Sequence, residues 1–282
     1  MTPFAALHHR PGEPLLLPNA WDHACAAALA GQGFAAIGTT SLGVAAAAGL
    51  PDGAAATRRE TLRLTRRLGR GRFLLSVDIE AGFSDDPSEV ADLAVELAEL
   101  GAVGINLEDG REDGTLAPVA VHAAKLAAVK AAAPGLFVNA RTDTHWLGLP
   151  DPGPETGRRL AAYQQAGADG VFVPGLAEPA AIEALVGRIA VPLNVLFTPA
   201  GPPLARLAEL GVARVSLGSL PYRAALAAAV GTAVAVRDGG ALPDAAASAP
   251  GYAAVAALHE DRPLDQVPPG RIGRPGHRPW PA

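Results

Sequence analysis

The sequence has 282 residues, of which 49% are apolar and 18% charged, and its formal net charge is −5. This length suits one large α/β barrel or two ordinary domains, and the apolar content excludes a disordered chain. The acidic balance argues against nucleic acid as a partner, because phosphate binding needs concentrated Lys and Arg. A single cysteine, Cys25, excludes an intrachain disulfide and favours a cytoplasmic location.

Two apolar stretches resemble membrane segments, but neither predicts a membrane span. Residues 24–51 lack charges, but six Gly and Gln residues interrupt them, and the apolar run 224–236 is only 13 residues long. A membrane span needs about 20 apolar residues. The amino terminus also lacks the basic start and apolar core of a secretory signal. We therefore expect no membrane partner.

A glycine turn recurs along the chain, as GFAAIG from Gly33, GAVGIN from Gly101, GADGVF from Gly167 and GVARVS from Gly211. Each follows an Ala/Leu-rich segment and leads into a short apolar run, which is typical of a helix that ends before a buried parallel strand. These turns predict four strands. The other four are predicted at 15–17, 73–77, 136–139 and 191–195, and the helices at 22–30, 57–68, 88–100, 118–132, 155–166, 179–189, 203–210 and 220–237.

Eight alternating strands and helices within about 240 residues predict a (βα)8 TIM barrel of the α/β class, with residues 1–240 as the catalytic domain. Residues 241–282 are rich in Pro and Gly. We expect this carboxyl-terminal extension to contain at most one short helix, near 252–259.

Carboxylates follow two neighbouring strands of the predicted barrel. Asp78 and Glu80 end the third strand, and Glu108 and Asp109 end the fourth. In extended backbone, residues two apart face the same side, and adjacent strands are about 4.8 Å apart. Such close carboxylates need a cation, and Mg²⁺, or Mn²⁺ in its place, prefers oxygen ligands. The alternative is that Asp78 or Glu80 caps a helix or pairs with an arginine.

Arg141 and residues 39–41 are candidates for holding a substrate acid group. Arg141 ends the fifth strand and could grip a carboxylate or phosphonate with two hydrogen bonds; alternatively, it pairs with Asp143 or Glu108. Thr39, Thr40 and Ser41 lie in a predicted glycine-flanked loop whose backbone N–H groups could cradle a carboxylate.

Seven segments together carry a resemblance to a known family. They are PNAWD (18–22), GTTS (38–41), GLPD (49–52), VDIEAGF (77–83), GINLEDG (104–110), NARTD (139–143) and AGADGVFVPG (166–175). In this order, they resemble the isocitrate lyase and phosphoenolpyruvate mutase superfamily over about residues 15–240. The resemblance implies a (βα)8 barrel whose last helix is exchanged between subunits of a homodimer or homotetramer. It also implies cleavage or formation of C–C or P–C bonds in small 2-oxo or 2-hydroxy acids with Mg²⁺.

The resemblance also implies roles for individual residues. Asp78 resembles the direct metal ligand, whereas Glu80 and Glu108 would act through waters. Asp52 resembles a loop aspartate near metal and substrate, and Asn194 a polar substrate contact. The implied catalytic residues are Asp52, Glu108 and Arg141, and the implied substrate-binding residues are Thr39, Thr40, Ser41, Arg141 and Asn194.

One loop departs from the family pattern. Isocitrate and methylisocitrate lyases carry Lys-Lys-Cys-Gly after the fourth strand, but here the loop 110–117 reads GREDGTLA. The gating-loop lysine and asparagine of the mutase are also missing, and Pro174 and Gly175 replace its histidine and serine. We therefore predict a Mg²⁺-dependent lyase that cleaves a C–C bond in a small 2-oxo or 2-hydroxy (di)carboxylic acid, similar to an oxaloacetate decarboxylase. The alternatives are phosphonopyruvate hydrolase or mutase chemistry, and a non-catalytic barrel that binds 2-oxo acids.

Overall fold

The structure, a computed structural model, describes residues 1–259. In this part of the chain, parallel strands form one sheet in the order β1-β9-β8-β7-β6-β5-β4-β3-β2. The strands are Leu15–Leu17 (β1), Asn19–Ala20 (β2), Ala36–Thr39 (β3), Leu74–Asp78 (β4), Ala102–Glu108 (β5), Phe137–Arg141 (β6), Gly170–Val173 (β7), Leu193–Leu196 (β8) and Arg214–Ser216 (β9).

The first two strands occupy one position in the barrel, because only Pro18 separates them. β1 pairs with β9 on one side and β2 with β3 on the other, both in parallel. Proline has no N–H and therefore interrupts the hydrogen-bonding pattern, although its carbonyl accepts from the Gly38 N–H at 2.8 Å. The sheet thus closes with eight strand positions, which confirms the predicted (βα)8 barrel.

Eight of the following ten helices agree with the sequence prediction to within a few residues; the other two, at the amino terminus and after β3, were not predicted. The helices are Pro3–Ala6 (α1), His23–Gly31 (α2), Ser41–Ala48 (α3), Arg58–Leu68 (α4), Pro87–Glu99 (α5), Val119–Ala132 (α6), Pro152–Gln165 (α7), Pro179–Val186 (α8), Leu204–Glu209 (α9) and Leu220–Arg237 (α10).

The prediction of a loop after strand β3 was wrong, because helix α3 begins there at Ser41. Its second half is a run of alanines, which have the highest helix propensity, and it ends at Gly49 with φ 69°. The helix has no charged residue and therefore no amphipathic pattern to reveal it in the sequence.

Helix α1 closes the amino end of the barrel. Phe4 is fully buried and packs edge-on against Phe137, and the His8 ring stacks on Phe137 with centroids 4.2 Å apart. A side chain at Gly104 would collide with the Phe4 ring, so glycine leaves the room that the ring needs. The barrel interior is therefore sealed at this end.

The carboxyl-terminal extension contains one more short helix than expected. Asp244–Ala247 (α11) precedes Tyr252–Ala256 (α12) and a 3₁₀ turn, Ala257–His259. Pro243 has φ −57°, which suits the start of a helix, and alanines follow it. The prediction of at most one helix was therefore wrong. The division at residue 240 stays a prediction, and residues 260–282 lie outside the described part of the chain. Within residues 1–259, no helix is both long and apolar enough to span a membrane.

Candidate active site

Asp78 is the last residue of β4 and faces the barrel interior. The alternate residues Leu75 and Val77 pack against the helices, so the other face of the strand, including Asp78, points inward. The Asp78 N–H donates to Thr39 Oγ1 at 2.8 Å. Its carboxylate Oδ1 is buried and has no hydrogen-bond partner within residues 1–259. Burial raises the pKa of Asp78; the Arg141 cation opposes this shift and the Asp52 charge adds to it.

Glu80 does not continue the strand, contrary to the assumption of extended backbone. Its φ of 50° places it in the left-handed region, where the chain turns. Its carboxylate accepts from the Thr57 hydroxyl and from the Ala55 N–H. Glu80 therefore holds the loop 51–57, which carries Asp52. Burial raises the pKa of Glu80, the Thr57 hydroxyl and Ala55 N–H lower it, and the Asp78 and Asp52 charges raise it further.

Arg141 lies between two carboxylates at the end of β6. Its Nη1 is 2.6 Å from Glu108 Oε2, and Nε and Nη2 donate to the two oxygens of Asp143 at 2.6 and 3.0 Å. Burial alone would lower the pKa of Arg141, but Glu108, Asp143 and Asp78 together raise it. Burial raises the pKa of Glu108, and Arg141 opposes that shift. The structure thus shows the ion pairs that the sequence left open, while the grip on a substrate stays a prediction.

The three predicted metal carboxylates do not surround one point. Among residues 1–259, no group of three His, Cys, Asp or Glu side chains is arranged to hold a metal ion. The predicted metal site, with Asp78 as the direct ligand and Glu80 and Glu108 acting through waters, stays a prediction, but the three carboxylates do not meet as direct ligands. The physical reason is that Glu80 is bound to the loop 51–57 and Glu108 to Arg141.

The donor set still fits a Mg²⁺ ion that keeps most of its waters. Mg²⁺ usually takes one or two protein carboxylates and completes its shell with water and substrate oxygens. A buried carboxylate oxygen without a protein partner, such as Asp78 Oδ1 in the described chain, is an unused ligand. Asp78 would hold the ion directly, and Glu80 and Glu108 could reach it only through waters in the observed arrangement.

Residues 39–41 lead from β3 into helix α3. Thr40 occupies the N-cap position, and Ser41 is the first helical residue. The Ser41 N–H faces the Asp78 carboxylate and lowers its pKa. The first N–H groups of a helix are free of helical partners and attract anions. The carboxylate cradle predicted at Thr39, Thr40 and Ser41 stays a prediction, and the N–H groups that would form it lie at a helix start.

Asp109 points away from this site although it follows Glu108 directly. It is fully buried between β5 and α7, where its carboxylate accepts from the Thr142 hydroxyl, the Asp143 N–H, Arg159 and the Tyr163 hydroxyl at 2.6–2.9 Å. These bonds fix the backbone that carries Arg141 and Asp143. Asp109 is thus a structural carboxylate.

Asn194 is buried inside the barrel, where its side chain bonds a residue of the neighbouring strand β9. Asn194 Nδ2 donates a hydrogen bond to Ser216 Oγ at 3.0 Å, and Asn194 Oδ1 accepts one from the same hydroxyl at 3.2 Å. Ser216 also accepts from Arg214 Nε at 3.1 Å. The predicted contact between Asn194 and substrate stays a prediction. The sequence reasoning missed Arg214; a charged residue inside an otherwise apolar strand was the available signal.

The loop 110–117 folds back on itself. Gly110 and Leu116 form an antiparallel bridge, and the Arg111 N–H donates to the Thr115 carbonyl at 2.9 Å. Asp113 accepts from the Thr115 N–H and hydroxyl, and Gly114 has φ 75°. This tight turn occupies the position at which the isocitrate lyases carry their cysteine.

Three curated relatives give the family context. An uncharacterized protein of Mycobacterium tuberculosis is 47% identical over 240 residues, or 85% of this chain and 91% of that protein. A 2-methylisocitrate lyase of Bacillus subtilis is 33% identical over 66% of this chain and 64% of its own length. An oxaloacetate decarboxylase of Pseudomonas aeruginosa is 32% identical over 63% of this chain and 64% of its own length.

Solved structures and a family model agree with these relatives. A Burkholderia cenocepacia structure, described only as a lyase or mutase, has a TM-score of 0.82 and 35% identity over 91% of this chain and 94% of its own. A phosphonopyruvate hydrolase bound to oxalate and Mg²⁺ has a TM-score of 0.76 and 26% identity over 90% and 93% of the two chains. The phosphoenolpyruvate phosphomutase model matches residues 4–237. The chain therefore belongs to the phosphoenolpyruvate phosphomutase family, in the superfamily of lyases and mutases that also includes the isocitrate lyases.

Proposed function

We propose that this enzyme is a Mg²⁺-dependent lyase that cleaves a C–C bond in a small 2-oxo dicarboxylate, by a reaction similar to oxaloacetate decarboxylation. The observation that carries the proposal is the buried Asp78 Oδ1, which has no hydrogen-bond partner in the described chain and lies beside Arg141 and the start of α3. The same place therefore combines a free ligand for a hard cation with two groups that attract an anion.

The chain's own residues would orient the substrate. The N–H groups at the start of α3 would receive one carboxylate of the acid, and Arg141, fixed by Glu108 and Asp143, would offer its remaining edge to an oxygen of the substrate. Fixing both ends aligns the bond to be broken and removes the entropic cost of orientation from the reaction step. When bound, Mg²⁺ would supply Lewis-acid stabilisation of the negative charge that develops at the 2-oxo oxygen.

Decarboxylation is the chemistry that these residues support with the fewest additional groups. The electron pair of the C3–C4 bond moves toward the 2-oxo group, CO₂ leaves, and C3 then takes a proton from water. This reaction needs no cysteine as a general acid. The tight turn at 110–117, which contains no cysteine, is consistent with it. The 32% identical oxaloacetate decarboxylase of Pseudomonas aeruginosa supports the same choice.

A substrate panel tests the proposal. Purified protein is assayed with Mg²⁺ against oxaloacetate, phosphonopyruvate and 2-methylisocitrate, with the Asp78→Asn variant as control. We expect turnover of oxaloacetate and its loss in the variant. Release of phosphate from phosphonopyruvate, with no pyruvate formed from oxaloacetate above the metal-only rate, would refute the decarboxylase assignment.

The second candidate is P–C bond chemistry, as a phosphonopyruvate hydrolase or mutase. The specific observations in its favour are the family-model match and the 26% identical phosphonopyruvate hydrolase structure. In that case, Arg141 would contact a phosphonate. If oxalate binds but none of the three compounds is converted, the protein is a non-catalytic barrel that binds 2-oxo acids.

We also propose that the protein is a homodimer or homotetramer in which α10 packs against a second copy. None of the α10 residues is buried, and Leu226, Val230 and Val234, spaced four residues apart, are 40–57% exposed. Residues at this spacing share one helix face, and an apolar face of this kind is stabilised when another protein surface covers it. The cytoplasmic location, which rests on the single cysteine, stays a prediction.

A further inference from the structure

Arg214 places a positive charge inside the barrel. It is the first residue of β9, it is 1% exposed, and it is the largest fully buried side chain of the described residues. Burial lowers its pKa to about 9, and the negative charge of Asp78 partly offsets this effect. At pH 7.5, the guanidinium is therefore still protonated.

The Arg214 side chain crosses the barrel from one wall to the other. Nη2 donates to Asn106 Oδ1 at 3.1 Å, and β5, which carries Asn106, is separated from β9 by three strand positions in either direction around the barrel, with β1 and β2 counted as one position. Asn106 also accepts from Asn139 at 2.9 Å. Asn106 pairs with Asp78 in the sheet register and precedes Glu108 by two residues on the same face. The guanidinium thus lies in the layer beneath the candidate site.

The two buried cations of this region differ in their partners. Arg141 is neutralised by Glu108 and Asp143. Arg214 bonds only uncharged groups among residues 1–259, namely Asn106 and Ser216, and its Nη1 has no partner there. A charge that is not neutralised locally acts over a longer distance in a low-dielectric interior.

We propose that Arg214 is a fixed counter-charge beneath the candidate site, which favours binding of the anionic oxo acid and disfavours the divalent cation. This inference rests on the proposed Mg²⁺-dependent function and adds to it a residue that touches neither ligand. Asn106, Asn139 and Ser216 keep the guanidinium in place, so that the charge neither moves nor becomes hydrated when ligands bind.

The proposal makes a prediction about sign. Removing a positive charge should weaken the binding of an anion and strengthen the binding of a cation at the same site. Loss of packing alone would weaken both. Opposite changes in the two affinities therefore distinguish an electrostatic role from a structural one.

Calorimetry with two simple probes provides the test. The affinity for Mn²⁺ alone, and then the affinity for oxalate at saturating Mn²⁺, is measured for the wild type, Arg214→Met and Arg214→Gln. We expect oxalate to bind about 3–10-fold more weakly and Mn²⁺ about 2–5-fold more tightly in both variants. Arg72→Met is the matched control, because Arg72 Nη1 is also buried without a partner in the described chain but lies at the amino end of β4; it should change neither affinity.

The remaining outcomes decide the proposal. Weaker binding of both Mn²⁺ and oxalate, or no change in either affinity, would overturn the role of Arg214 and leave the proposed function intact. Wild-type protein that binds neither Mn²⁺ nor oxalate would overturn both. If the two neutral variants do not fold, Arg214→Lys decides, measured at pH 6 so that the buried ammonium keeps its proton: it loses the fork of hydrogen bonds, so affinities within twofold of wild type at that pH support the proposal and joint weakening contradicts it.

Discussion

Replacing Asp78 by asparagine should stabilise the metal-free protein. The substitution removes a buried charge whose Oδ1 lacks a hydrogen-bond partner in residues 1–259. An unsatisfied buried group costs about 1–3 kcal/mol, and more if it is charged. We therefore expect the free energy of unfolding in EDTA to rise by about 1–3 kcal/mol at pH 7.5, which corresponds to about 2–4 °C in Tm per kcal/mol for a chain of this size.

The neighbouring strand offers a matched control. Asp109→Asn makes the same chemical change in a carboxylate that accepts four hydrogen bonds, one of them from the buried Arg159. Removing one partner of a buried ion pair costs about 3–5 kcal/mol. The two Asp→Asn variants should therefore change stability in opposite directions.

The effect of Asp78→Asn should also depend on pH. Burial raises the pKa of Asp78 in the folded state above its ordinary value of 3.8. A carboxyl group with a raised folded pKa contributes stability that is present below the unfolded pKa and is lost as the pH rises through the folded pKa. The advantage of the variant over wild type should therefore be absent near pH 3.5 and grow toward neutral pH.

Urea unfolding followed by circular dichroism, with 1 mM EDTA and then with 5 mM Mn²⁺, measures these differences. Mn²⁺ should stabilise the wild type and leave Asp78→Asn unchanged. A variant that is less stable than wild type in EDTA, or that Mn²⁺ still stabilises, would refute the reasoning that Asp78 Oδ1 is an unsatisfied oxygen that binds a cation.

Three further predictions concern other parts of the molecule. Arg141→Lys keeps the charge but loses the fork geometry, so kcat/KM should fall by at least about 100-fold with little change in Mn²⁺ affinity, as steady-state kinetics and calorimetry can check; normal kinetics would contradict the proposed grip on substrate. Leu226→Asp combined with Val230→Asp should convert an oligomer to a folded monomer in light scattering, and an unchanged mass would exclude this face as the interface. Tyr163→Phe removes one hydrogen bond to the buried Asp109 and should cost about 1–3 kcal/mol in urea unfolding without changing Mn²⁺ affinity; unchanged stability would show that this bond contributes little.

The regular features of the barrel could be predicted from the sequence because they depend on local patterns. Helix α10 begins and ends at the predicted residues, and strand β4 differs by one residue at each end. A glycine with positive φ precedes each of four strands and marks the end of the preceding helix. Glycine adopts this backbone conformation more easily than other residues, so its position in the sequence predicts the helix end. Helix α3 escaped notice because an uncharged alanine run shows no periodic contrast.

The site was harder to predict because it depends on contacts between distant parts of the chain. Residue alternation correctly placed Asp78 inside the barrel but failed for Glu80, which turns to bind Thr57 and Ala55. Glu108 and Asp109 both follow the same predicted strand, and the structure directs Glu108 toward Arg141 and Asp109 toward Arg159. Such choices follow from partners that are 23–50 residues away in the sequence.

The seal formed by helix α1 has a consequence for experiments that shorten the chain. Phe4 and His8 lie at the opposite end of the barrel from Asp78, yet they separate the Arg214 layer from bulk water. Deleting the first eight residues would let solvent enter from below and raise the dielectric constant around a charge that acts on the site. Activity lost after such a deletion would therefore report on hydration of the interior, and would not identify a reacting group among the residues removed.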